Sequence, residues 1–79
     1  MKRSTTEDAA FDHLIAGNRI INTHGDAAEA AAEYQKAADA FGEAREEASR
    51  AHDGAAYDRC ATMEAQAKAN VRRAKTNDW

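Results

Sequence analysis

The sequence predicts an all-α fold: a small three-helix up-down-up bundle, one domain over residues 1–79, with a long alanine-rich middle helix. Three observations predict it. The chain has no proline and only four glycines, too few turn formers for a sandwich or barrel. Alanine, the best helix former, supplies 21 residues, most of the 43% hydrophobic share. The larger apolar residues recur at spacings of three and four. Core material is scarce, since Leu, Ile, Val and Phe together number seven. No apolar run approaches the roughly 20 residues of a membrane span, and no basic-then-apolar signal segment opens the chain, so the cytoplasm is the expected location. Cys60 is the one cysteine, which excludes an internal disulfide.

The first helix is expected over about 5–23. Ser4 with Glu7, or Thr5 with Asp8, has capping-box spacing. Phe11, Leu14, Ile15 and Ile21 form its stripe, and Ile20 falls on the opposite face, about 180° from Phe11. The second helix is expected over about 26–51, capped by Asp26 with Glu29 three residues on. Its seam alternates three and four without a break: Ala27, Ala30, Tyr34, Ala37, Phe41, Ala44, Ala48, Ala51. Alanine at most seam positions lets a neighbour come close, and Gly42, just off the seam, invites a bend. The third helix is expected over about 54–75, capped by Asp53, with a stripe of Ala56, Cys60, Met63, Ala67, Val71 and Ala74 and Tyr57 at its edge. Residues 76–79 read as a tail. Tyr34, Phe41, Cys60 and Met63 are the expected core.

Charge is segregated. Residues 26–53 carry eight acids and three bases, and residues 54–79 carry three acids and five bases, within a total of −3. Antiparallel packing of the second and third helices sets these opposite fields side by side.

His24-Gly25-Asp26 followed by Ala30, Tyr34 and Ala37 resembles the second half of a tetratricopeptide repeat, with Leu14 and Ile21 in two of the preceding helix's apolar positions. Asn18 stands where that repeat has a small residue, with Gly17 one place off, and Gly42 stands where a proline closes it. One such unit fits, over roughly 11–41. The chain is also similar in layout to the microtubule-interacting-and-transport domain, a single three-helix bundle whose third helix ends in basic residues, as Arg72, Arg73 and Lys75 do here. Both resemblances imply a module that binds helical peptides or proteins.

Catalysis, metals and cofactors are not expected. Cys60 lies on an apolar stripe between Ala56 and Met63, where a buried structural thiol is the better reading. His13, His24 and His52 have no ligand spacing with it or with one another. The function expected is a non-catalytic protein-interaction module: a small adaptor, regulator or inhibitor that occupies a partner surface. Its candidate residues are Ile20, the terminal Trp79, and the acidic face Glu29, Glu33, Asp39, Glu43, Glu46 and Glu47, suited to a basic partner. The regular seam leaves a homodimer open. The alternative is a nucleic-acid-associated regulator using Lys68, Arg72, Arg73 and Lys75, although the long acidic middle helix argues against a helix-turn-helix. Small size and an acidic surface also suit an inhibitor carried by a phage or mobile element.

Overall fold

A computed structural model of the chain describes residues 4–23 and 25–76. They form α1 (Thr5–Asn22), α2 (Ala27–Arg50) and α3 (Gly54–Thr76). Each start carries a side-chain cap. The Glu7 N–H donates to Ser4 Oγ at 3.0 Å, the Ala28 N–H to Asp26 Oδ1 at 2.8 Å, and the Ala56 N–H to Asp53 Oδ1 at 3.1 Å. Ser4 rather than Thr5 is the first cap, and Glu7 turns its own carboxylate away to α3. The second helix closes with the Asp53 N–H donating to the Ala48 carbonyl at 2.9 Å, and His52 takes the left-handed conformation, φ 55°. Thr76, expected in a tail, is still helical, and its hydroxyl donates to the Arg72 carbonyl.

α1 and α2 run antiparallel, as their pairings show: Thr6 meets Glu47, Phe11 meets Phe41, and Asn18 meets Tyr34. α3 returns antiparallel to α2, with Glu64 opposite Arg45. The three helices make an elongated body of 40 × 19 × 14 Å. α2 packs along both neighbours, whereas α1 and α3 approach each other much less.

The core is built on α2. Tyr34, Ala37 and Phe41 are fully buried, with Ala30, Ala44 and Ala48 close to it. Ala51, the last expected seam residue, is exposed because the helix has already ended at Arg50. Ala31 and Ala38 are buried too. On a helix they share a flank with Gly42 and Arg45, which meet α3, so α2 buries two faces rather than one seam. The seam is therefore covered by the chain's own helices and supplies no argument for a second copy.

Two glycines mark the closest approaches. A Cβ on Gly17 would stand 2.7 Å from the Tyr34 ring, so α1 comes down on α2 at Gly17, not at Asn18. Asn18 instead accepts a 2.6 Å hydrogen bond from the Tyr34 hydroxyl at the edge of that contact. α2 runs unbroken through Gly42, where a Cβ would stand 2.7 Å from Glu64 Oε2, so the glycine admits a side chain from α3 without interrupting the helix.

Candidate functional site

The six acidic candidates fall within an arc of about 140° on α2, turned away from α3. Glu29, Asp39, Glu43 and Glu46 are exposed, whereas Glu33 and Glu47 are half-buried at the border with α1. Glu33 is bound at that border by His13 Nδ1 at 3.3 Å and Lys36 Nζ at 3.2 Å. These hydrogen bonds, Lys36 first and His13 second, hold its carboxyl below the ordinary value. Glu47 accepts a 2.7 Å hydrogen bond from Thr6. Asp39 accepts from Gln35 on its own helix, and none of Glu29, Glu43 and Glu46 forms an ion pair with another described side chain.

An open groove of about 500 Å³ runs where this face meets α1. Ala16, Ile20 and Ala32 line it together with the charged side chains of Arg19, Lys36, Glu29 and Glu33. The structure thus brings Ile20, Glu29 and Glu33 together. Asp39, Glu43 and Glu46 continue the acidic face along α2 without lining the groove.

Ile20 is not stranded on an outer face. It is half-buried, packs against the core, and lies under the turn at Gly25, whose N–H donates to the Ile20 carbonyl at 2.7 Å. Ile15, assigned by spacing to the core stripe, is the residue left out, at 47% exposed. The reason is geometric. The buried arc of α1 centres on Ala10, Leu14 and Gly17, and Ile20 lies roughly 90° from it on one side and Ile15 roughly 130° on the other. The α1–α2 turn covers one edge only. Trp79 and His24 lie outside the described residues.

Among the described residues, no acid of α2 forms an ion pair with a base of α3. The ion pair between these helices joins a base of acidic α2, Arg45, to an acid of basic α3, Glu64, at 2.9 Å. Lys68 reaches the same Glu64 at 3.5 Å, and Arg72, Arg73 and Lys75 are exposed without an ion pair to any described residue. Arg45 also lies over the Tyr57 ring, 5.8 Å from its centroid.

Sequence reasoning missed one cluster entirely. Glu7 is 2% exposed, the one buried charged side chain among the described residues, and Arg59 of α3 clasps it through Nε at 2.6 Å and Nη2 at 3.0 Å. That clasp raises the Arg59 pKa further. Cys60 lies beside it, 1% exposed, and burial pushes its thiol pKa up. The capping-box spacing had claimed Glu7 for another role, and no local pattern connects positions 7 and 59. Among the described residues, no group of three or more His, Cys, Asp and Glu side chains is placed to hold a metal ion, and no helix is long and apolar enough to cross a membrane.

Compared with protein-family models, with curated proteins and with solved structures, the chain matches none.

Proposed function

We propose that this protein is a non-catalytic interaction module that binds a basic protein partner along the outer face of α1 and α2. One observation carries the reading. Glu29, Asp39, Glu43 and Glu46 are exposed on one side of a 24-residue helix with no cation from another described helix against them, and they run beside the Ile20 groove. The fold itself does not need these carboxylates there, since its inter-helix bonds use Glu7, Glu33, Glu47 and Glu64. Exposed Lys36 and Arg50 share this face, which stays net negative; such a field steers encounter with an oppositely charged surface, and the apolar lining of the groove gives that surface something to bury. The tetratricopeptide-like spacing of Ala30, Tyr34 and Ala37 is in keeping with a binding role.

The test is affinity capture from cell extract with the wild type and with a Glu43→Lys/Glu46→Lys variant. Both positions are exposed, so the far-UV circular dichroism of the variant should match the wild type. Basic proteins held by the wild type and lost from the variant are the expected result. An identical capture pattern removes this face from consideration.

A second reading is favoured by Arg72, Arg73 and Lys75, which project from the end of α3 without ion-pair partners among the described residues. Retention on a heparin or DNA column that falls steeply with salt would favour nucleic-acid association through them.

A further inference from the structure

The first two turns of α1 are held down differently from the rest of that helix. From Phe11 onward, Phe11, Leu14, Ile20 and Ile21 anchor α1 in the core. From Thr5 to Ala10 the apolar side chains are Ala9 and Ala10 alone, and only Ala10 is buried. The fastening there is polar: Thr6 to Glu47 of α2, and Glu7 to Arg59 of α3. Against the start of α1, where Ser4 and Glu7 line it, lies a partly enclosed cavity of about 290 Å³, walled on the other side by Ala44, Ala48, Ala56 and Cys60 among others. A void removes the dispersion contacts that would otherwise hold the segment, and a buried carboxylate is tolerable only while its cation stays in place. The first turn of a helix also has the fewest backbone bonds of its own.

We propose that residues 5–10 of α1 form a lid over Cys60, fastened by the Glu7–Arg59 pair, that opens while the aromatic core stays folded. The proposal is independent of the partner-binding face. Local opening of a segment so held is more frequent than global unfolding. Opened, the lid uncovers the alanine floor and returns the thiol to water.

Cys60 is the chain's one cysteine, so its alkylation by iodoacetamide at fixed pH reads the opening directly. Glu7→Gln keeps the shape and removes the charge, and Arg59→Gln removes the other partner. Each should speed alkylation by about tenfold or more, the scale of losing charge-assisted hydrogen bonds. The amide exchange of Tyr34 and Phe41 should change much less. The double variant should react little faster than the faster single one, because both break one interaction. An unchanged alkylation rate in a folded variant overturns the proposal. So does an equal acceleration of amide exchange at Tyr34 and Phe41, which would mean that the thiol is reached by global unfolding. Should both variants fail to fold, the wild type decides. Its opening rate at Cys60 must exceed the exchange of the Tyr34 amide at least about tenfold, and equal rates overturn the lid.

Discussion

The two ends of α2 show two ways of closing a bundle that is short of large side chains. Through its first half and middle, Tyr34 and Phe41 fill the space between helices, and Phe11 meets Phe41 edge to face with centroids 4.9 Å apart and rings at 88°. Toward its end, Ala44 and Ala48 leave room that a buried thiol and a clasped carboxylate share, over a cavity. The first solution is apolar and continuous; the second is polar and hollow. Where volume is available, contact holds the helices together. Where only alanine is available, hydrogen bonds between named partners do that work, and they are easier to undo by a single charge change.

Truncation at each end tests the comparison most strongly. Phe41→Ala removes a fully buried ring and its aromatic partner contact, and should destabilise by about 3–5 kcal/mol. A domain of this size has roughly 4–12 kcal/mol in total, so this variant should sit close to unfolded at room temperature. Cys60→Ala, also at a nearly fully buried position, should lose only about 1 kcal/mol, the value of one small group next to an existing void. Urea denaturation followed at 222 nm measures both. Equal losses would mean that the two ends are packed alike.

The fold class was legible because helix formation here needs little beyond alanine, caps and spacing. Ser4 or Thr5, Asp26 and Asp53 announce the three starts, and the α2 seam announces the core. Much of what was not legible comes from one physical cause. In an alanine-rich bundle the closest approach is marked by the smallest residues, not the largest. Reading α1 from Phe11 misplaced both Ile15 and Ile20, whereas the true centre is Ala10, Leu14 and Gly17. The second buried flank of α2, Ala31 and Ala38, carries no bulky residue to draw the eye. The acidic candidates were legible as a face but not in their split, since only contact with α1 separates Glu33 and Glu47 from the exposed four. The Glu7–Arg59 clasp joins positions 52 residues apart, and nothing local foretells it.

The two close-approach glycines sharpen the same comparison at smaller magnitude. At Gly17 an added methyl meets the side of a fully buried ring, which has nowhere to go. Gly17→Ala should therefore destabilise by about 1–2 kcal/mol, overpacking outweighing the better helix propensity. At Gly42 the same methyl meets a carboxylate oxygen at the end of a flexible side chain. Glu64 can swing aside while Arg45 follows it, so Gly42→Ala should be neutral or stabilising by up to about 1 kcal/mol. Thermal melts of the two variants should thus move in opposite directions, or at least differ clearly. A shared direction would mean that the Glu64 cluster is as rigid as the ring.

The smallest effect concerns Glu33, which lines the groove and bonds to His13 of α1. Its carboxyl titrates below the ordinary value of 4.5, chiefly because of Lys36 and then His13. A carboxyl with a depressed folded pKa stabilises the protein above its unfolded pKa, and that contribution disappears as pH falls through the folded one. Stability should therefore decline as pH drops below about 4.5, and Glu33→Gln should flatten that part of the profile by lowering stability slightly in the neutral region while changing little at pH 3. The decisive comparison is urea midpoints at pH 7 and pH 3 for the two proteins. If the wild type loses no more than Glu33→Gln across that interval, neither the Lys36 contact within α2 nor the His13 contact from α1 contributes to stability through the Glu33 charge. The groove would then owe its shape to Ala16, Ile20 and Ala32 alone.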